Sequence, residues 1–325
     1  MKISAYDIGG ANIKKLLAEG DEIEVLSSEV SYFPFWKKRE QFEGFLRKLN
    51  LGTDLVGITM TAELCDCFSS KAEGVDYITS ICEKVFNSPL YLSIDGELLK
   101  YSAIQDSLSL AATNFVASLA FLEDRFGKGL LLDVGSTTTD IVPFERGKRL
   151  YEKSDLQRLQ KKQLVYTGFL RTPVNSIVSR VPYNGKPVDI ASEAFAITAD
   201  VYNILGMTDY PCDTPDGKGK DVKDSMCRVA RLLCADLEEV GEGRIRDICD
   251  HIKEAQVEII AESLLEVAEE YRMKDAYICG VGKALAEEAC KKVGIEANDL
   301  SMVTSAHENL PCLGLAWMVL QHGRG

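Results

Sequence analysis

The chain has 325 residues, 46% of them hydrophobic, enough to bury about two cores of ordinary domain size. Its 50 acidic residues against 37 basic ones leave a formal net charge of −13, which argues against sequence-independent nucleic-acid binding, because that needs clustered positive charge to displace counterions. Apolar runs such as Leu130 to Val134 are too short to span a bilayer, and Met1 to Tyr6 leads straight into a glycine turn with no room for a cleaved signal, so a cytoplasmic protein without nucleic-acid or membrane partners is expected.

In chain order, Lys2 to Ile8 reads as a buried strand, followed after a turn by strands over Ile13 to Leu17 and Glu22 to Leu26 and a helix over Lys37 to Leu49. A buried strand at Asp54 to Met60, a helix at Gly74 to Phe86 and a strand at Leu90 to Ile94 continue the alternation. Leu108 to Phe126, with Phe115, Leu119 and Leu122 at helical intervals, predicts a connecting helix. The pattern is α/β, with one unit over residues 1–126 and a second over 127–325. The second repeats the theme with strands at Gly129 to Val134 and Asp140 to Phe144, then a large excursion and helices at Val222 to Glu239 and Arg244 to Arg272. A strand at Asp275 to Cys279, a helix at Lys283 to Val293 and an apolar helix at Pro311 to Gln321, packing back on the body, complete it. The loop Asp209 to Lys223, with Pro211, Pro215, Gly217 and Gly219, is expected to be the most mobile segment.

Two short segments concentrate the chemistry: Asp7-Ile-Gly9-Gly10-Ala11-Asn12 and Asp133-Val-Gly135-Ser136-Thr137-Thr138-Thr-Asp140. In both an acid ends a buried strand, glycine lets the backbone turn tightly with its N–H groups exposed, and small polar residues lead into a second strand. One such turn is ordinary. Two of them half a chain apart predict paired phosphate-holding hairpins facing one cleft between twin domains. A third glycine turn, Gly280-Val-Gly282, follows a strand and opens a helix, as a dinucleotide fingerprint does, but too few residues follow it to complete a doubly wound domain. It fits better as a further wall of a phosphate or nucleoside site.

The ten cysteines are scattered without a Cys-x-x-Cys pair, and Cys65 and Cys67, one residue apart, do not match structural-zinc spacing. Free thiols in a reducing compartment are expected. With only His251, His307 and His322 present, histidine-based acid/base chemistry is disfavoured.

The order of strand, Asp-Gly turn, second copy and late Gly-x-Gly resembles the actin/hexokinase/Hsp70 superfamily of twin RNase H-like lobes. Within it the chain is similar to the hydantoinase/oxoprolinase branch. The match extends through Gly57-Ile-Thr59-Met-Thr61-Ala-Glu63, Glu73-Gly74-Val75, Tyr166-Thr167-Gly168 with Arg171-Thr172-Pro173, and Glu193 through Asp200-Val-Tyr. Inside that branch it resembles an archaeal family of condensing enzymes from methanofuran biosynthesis. The resemblance implies a transferase, not a kinase, that joins an aminomethylfuranylmethyl diphosphate to the phenol oxygen of γ-glutamyltyramine and expels diphosphate. Small-molecule substrates, Mg²⁺ and a homodimer go with it, and ATP only where the Gly280–Gly282 turn serves adenosine.

Diphosphate departure needs backbone N–H groups, a cation and a metal. Gly9, Gly10, Ala11, Asn12, Gly135, Ser136, Thr137, Thr138, Gly280 and Gly282 are the phosphate-binding candidates, and Asp7 and Asp133 the Mg²⁺ ligands. Lys14 and Asp140 sit at the same offset after Asp7 and Asp133, so one copy presents a base and the other an acid. Lys14 is expected to hold the diphosphate and Asp140 to take the phenolic proton, with a hairpin-capping or metal-shell acid as the other reading of Asp140. Thr59, Thr61 and Glu63 alternate at the carboxyl end of a strand and are candidates for the acceptor pocket, or simply strand residues chosen for β-propensity. Arg171 suits the glutamyl carboxylates, or an ordinary surface ion pair. Glu193 and Asp200, seven apart on one expected helix face, suit the aminomethyl ammonium, or a solvated helix face. An ATP-dependent small-molecule kinase or a hydantoinase-like amidohydrolase, and a non-catalytic nucleotide-binding regulator, are the alternatives left open by the motifs.

Overall fold

The computed structural model describes residues 1–20 and 23–323. By contacts, Met1–Leu131, Phe144–Arg158 and Leu300–Gly325 form one compact unit, and Leu132–Pro143 with Leu159–Asp299 form a second. The grouping is discontinuous in the chain, whereas the sequence pattern suggests a single division after residue 126.

The first unit is built on a six-stranded sheet. Strands β1 (Lys2–Ile8), β2 (Asn12–Glu19) and β3 (Glu24–Tyr32) form an antiparallel meander, and the strand start expected at Glu22 lies outside the described residues. Helices α1 (Phe35–Lys38) and α2 (Phe42–Leu49) replace the single helix expected at Lys37 to Leu49, with a 3₁₀ turn at Arg39–Gln41 between them. Then follow β4 (Leu55–Met60), α3 (Lys71–Val85), β5 (Leu90–Leu92), β6 (Leu98–Lys100) and α4 (Asn114–Phe126), giving the order β3-β2-β1-β4-β5-β6.

Strand β1 is buried along all but its first residue, which explains its unbroken apolar run. Period-two alternation then sends its side chains to two different places. Tyr6 and Ile8 enter a core with Phe33, Phe35, Phe42, Ile78 and Cys82. Asp7 lies between them on the other face, in register with Lys14 of β2 and Thr59 of β4. There Thr59 Oγ1 shares a hydrogen bond of 2.8 Å with Thr113 Oγ1, just ahead of α4.

The second unit holds the sheet β13-β12-β7-β8-β9. It consists of β7 (Lys128–Val134), β8 (Thr139–Glu145), β9 (Leu164–Val165), β12 (Asp275–Cys279) and β13 (Glu296–Asp299). Helix α5 (Asp155–Gln160) follows β8, and within the stretch expected as a large excursion β10 (Arg180–Tyr183) and β11 (Lys186–Asp189) form a hairpin. Helices α6 (Thr198–Ile204), α7 (Val222–Leu232), α8 (Leu237–Val240) and the 30-residue α9 (Glu242–Tyr271) precede β12, and α10 (Lys283–Val293) joins the parallel pair β12 and β13. The chain ends in α11 (Leu310–His322), which packs on β1, β4 and α4 of the first unit.

The loop read as mobile is tied down by side chains of neighbouring helices: Asn203 Nδ2 donates to the Lys220 carbonyl at 3.0 Å, and an arginine adds several bonds. Arg228 of α7, buried, donates to Asp200 Oδ1 at 2.7 Å, Asp216 Oδ1 at 3.2 Å, the Gly219 carbonyl at 3.0 Å and Ser225 Oγ at 3.3 Å. Composition marked the segment as a loop, but it could not reveal the arginine on a later helix that fastens it.

Candidate functional site

Both glycine turns form, and the same hydrogen-bond logic shapes each. In the first, the Gly9 N–H donates to the Asn12 carbonyl at 3.0 Å. The Gly10 carbonyl accepts from Phe35 N–H at 2.8 Å and the Ala11 carbonyl from Phe33 N–H at 2.9 Å, while both phenylalanine rings sit in the core. In a trans peptide the N–H points opposite to the preceding C=O, and the described chain has no cis bond. Pinning the Gly10 carbonyl inward therefore turns the Ala11 N–H outward.

The second turn closes in the same way, with Gly135 N–H donating to the Thr138 carbonyl at 2.9 Å. Its Gly135 carbonyl accepts from Phe169 N–H at 2.9 Å, and the Ser136 carbonyl accepts from both Leu170 and Arg171 N–H, at 3.0 and 2.9 Å. The Ser136 and Thr137 N–H groups are thereby turned away from this brace. Phe169, like Phe33 and Phe35, uses its backbone for the turn and its ring for packing: it stacks on Tyr202 with centroids 4.4 Å apart.

The brace is itself anchored. Gly168 lies so close beneath the turn that a Cβ there would come 2.5–2.7 Å from the backbone of Ser136 and Thr137. Its carbonyl accepts from Gln256 Nε2 at 2.8 Å and Thr198 Oγ1 at 3.0 Å, and its N–H donates to Thr172 Oγ1 at 2.7 Å. Gln256 also accepts from the Tyr202 hydroxyl. Sequence reasoning gave Gly168 and Gln256 no role, because Gly168 meets the turn at Thr137, 31 positions earlier, and Gln256 meets Gly168 from 88 positions further on.

The expected charged residues divide. Lys14 Nζ stands 3.8 Å from Asp7 Oδ2, so the cation and the carboxylate expected at the first turn are together. Asp133 and Asp140 are half-buried at the end of β7 and the start of β8. Arg171 Nη1 is 3.5 Å from Thr137 Oγ1, beside the second turn.

Other expectations are corrected. Glu193 and Asp200 do not share a helix face, because α6 begins only at Thr198 and Glu193 lies exposed in the loop before it. Asp200 is fully buried, accepting from Ile197 N–H at 3.0 Å and from Arg228, and is not open to an ammonium. Glu63 is also buried, and Thr59 spends its hydroxyl on Thr113. Burial, with the Asp155 charge adding to it, pushes the Glu63 carboxyl up to about 7 against the pull of Lys71 and backbone N–H groups. Only Thr61 of that trio is half-buried, with its Oγ1 near Gly9. The Gly280–Gly282 turn packs onto β7: Gly280 has φ +86 and a Cβ on it would strike Asp133 Oδ1 at 2.2 Å, and Gly282 N–H donates to the Val134 carbonyl at 2.8 Å. These glycines permit close approach to the acid of the second turn.

Two α/β units, each carrying a strand, a glycine turn and a second strand, define the actin/hexokinase/Hsp70 class of fold. A ROK family glucokinase from Streptomyces griseus, solved with glucose and AMPPNP, shares that fold at TM-score 0.52 and 12% identity, covering 99% of this chain and 100% of its own. The chain belongs to the hydantoinase/oxoprolinase family, whose model matches residues 54–318. It is 40% identical over 299 residues, 90% of each chain, to the (4-{4-[2-(gamma-L-glutamylamino)ethyl]phenoxymethyl}furan-2-yl)methanamine synthase of Methanocaldococcus jannaschii. The synthase of the same name from Methanococcus vannielii is 34% identical over 178 residues, 54% of this chain and 80% of its own. Among the described residues no helix is long and apolar enough to cross a membrane.

Proposed function

We propose that this chain is a transferase that condenses an aminomethylfuranylmethyl diphosphate with the phenol oxygen of γ-glutamyltyramine and releases diphosphate. The observation that carries this reading is the 40% identity, over nine-tenths of both chains, to a synthase whose product name contains that phenoxymethyl-furan ether. In the reaction the bond from the furylmethyl carbon to the diphosphate oxygen breaks and its electron pair leaves with diphosphate. A lone pair of the phenol oxygen forms the new C–O bond, and the phenolic proton goes to a carboxylate.

The chain's own groups suit each demand. Outward N–H groups at Ala11, Ser136 and Thr137 stabilise charge that grows on the leaving oxygens, at the cost of no rearrangement, because the braces set their direction beforehand. Lys14 supplies a positive charge and Asp140 is the proton acceptor. A furylmethyl carbon sustains positive charge, so a carboxylate near it favours a stretched transition state as well.

Mg²⁺ keeps several waters and takes one or two protein carboxylates beside substrate phosphates, and each turn offers an aspartate of that kind. Among the described residues no three or more Asp, Glu, His or Cys form a group that could hold a metal ion. Asp7 at the first turn or Asp133 at the second would hold the ion, and it would neutralise charge on the departing diphosphate.

Incubation with the diphosphate donor, γ-glutamyltyramine and Mg²⁺ is expected to yield one ether per diphosphate released, read by mass spectrometry and a diphosphate assay. Formation of ADP from ATP with candidate alcohols or hydantoins, and no ether, would sink the reading in favour of an ATP-dependent activity.

A further inference from the structure

We propose that Gln256 of α9 is a positioning residue for the diphosphate: with Tyr202 it heads a one-way series of hydrogen-bonded amides that aims and polarises the Ser136 N–H at the second turn. The proposal rests on the condensing reaction above. The series can be followed atom by atom. The Tyr202 hydroxyl donates to Gln256 Oε1, and Gln256 Nε2 donates to the Gly168 carbonyl at 2.8 Å. That carbonyl shares a peptide plane with the Phe169 N–H, which points the opposite way and donates to the Gly135 carbonyl at 2.9 Å. The Gly135 carbonyl in turn shares its plane with the Ser136 N–H, so this last donor points onward, out of the brace. The side-chain amide and the backbone amides behind it thus align head to tail. Each bond in such a series strengthens the next, because a carbonyl that accepts makes the N–H of its own amide a better donor. An anion met by the Ser136 N–H completes the series.

Gln256 is held in the orientation this requires. A carbonyl only accepts, so the amide must turn Nε2 rather than Oε1 to Gly168. Nε2 also donates to Thr167 Oγ1 at 2.9 Å, and the residue is fully buried. Burial, with Glu288 and Cys249 adding to it, pushes the Tyr202 hydroxyl up, so the phenol keeps the proton it donates. The Tyr202 ring stacks on Phe169, which packs the head of the series against a later member. The Gly168 carbonyl also accepts from Thr198 Oγ1 at 3.0 Å and Thr172 Oγ1 at 3.2 Å. Those hydroxyls rotate to suit, whereas the direction of the Gln256 amide is set by its bonds at both ends.

The first turn is served by the same arrangement from a different source. Phe35 N–H donates to the Gly10 carbonyl at 2.8 Å, and the Pro34 carbonyl in the same peptide plane accepts from Lys37 and Lys38 N–H at 3.0 and 3.1 Å. There the series starts from the backbone of α1. At the second turn a glutamine side chain from a distant helix takes that place.

The test is isothermal titration of the full chain with inorganic diphosphate and Mg²⁺ at about pH 5 and about pH 9, each variant compared with the wild type at the same pH. Gln256→Leu, which cannot donate at any pH, is expected to weaken diphosphate on the order of 10- to 100-fold at both, and to raise KM for the diphosphate donor while leaving KM for γ-glutamyltyramine unchanged. Gln256→Glu has nearly the shape of the native residue and can donate to Gly168 only when its carboxyl is protonated, so it should recover most of the affinity at the lower pH. A role in packing alone would not produce that recovery. Tyr202→Phe keeps the stack on Phe169, removes the first donor, and should weaken diphosphate about 3-fold; it decides the question by itself if the Gln256 variants do not fold. Wild-type affinity in a folded Gln256→Leu, or a loss in Gln256→Glu equal to that of Gln256→Leu at the lower pH, would overturn the assignment while leaving ether formation by the wild type intact. The expected losses in a chain that forms no ether would instead uphold the assignment and remove the reaction.

Discussion

In the first unit the cation beside the glycine turn comes from the turn's own hairpin: Lys14 lies on β2, directly across from Asp7. In the second unit the equivalent position is Asp140, and the cation beside the turn is Arg171, from a brace more than 30 residues further along. The backbone solution is the same in both places, with a closing hydrogen bond across the turn and carbonyls captured by a segment whose phenylalanine ring is packed in the core. The duplicated motif therefore preserves the direction of N–H groups and varies the source of charge. Hydrogen-bond geometry tolerates little change, whereas a positive charge can arrive on any side chain long enough to reach.

The comparison can be broken most forcefully at Gly168. Its replacement by valine places a branched side chain into the backbone of Ser136 and Thr137, so the second turn should lose its shape and ether formation should fall more than 100-fold, on the order of the cost of misplacing a reacting group by 1 Å. Gly135→Ala, whose Cβ meets only the Thr138 carbonyl at 3.2 Å, should retain much more activity. Equal activity in the two variants would show that the brace does not set the turn.

Two buried acids, one in each unit, offer the next contrast. Asp200 of the second unit is met by Arg228, so Asp200→Ala leaves that buried guanidinium with Asp216 as its one carboxylate and should cost about 3 kcal/mol, seen as a lower thermal midpoint. Glu63 of the first unit has no side-chain hydrogen bond at Oε2. Its native carboxyl titrates near 7 and its unfolded one near 4.5, so the native state holds an extra proton between these values and stability falls as pH rises through that window. Glu63→Gln should therefore stabilise the chain at pH 8 by about 3 kcal/mol and change little at pH 4. A gain of the same size at both pH values would contradict this account.

The smallest expected effect sharpens the charge comparison. Lys14→Ala should weaken inorganic diphosphate binding about 10-fold, in the range of one charge-assisted hydrogen bond, with little change in the affinity for γ-glutamyltyramine. Isothermal titration with inorganic diphosphate checks this, and unchanged affinity would remove Lys14 from the site.

The α/β pattern, the two turns, the parity of Asp7 with Lys14, the helix Lys283–Val293 and a last helix at Pro311 to Gln321, observed one residue longer at each end, could be read from the chain alone. All rest on residues within a few positions of one another, where strand and helix periods and turn chemistry are decisive. What only the tertiary structure decided involves partners far apart in sequence. Gly168 beneath Ser136, Arg171 beside Thr137, Arg228 on Asp200, and Gly280 against Asp133 each join segments that no local period connects. Asp200 shows the reason most clearly: its spacing suits an exposed helix face, yet a buried arginine from a later helix can compensate its charge, and only the packed chain reveals that such a partner arrives.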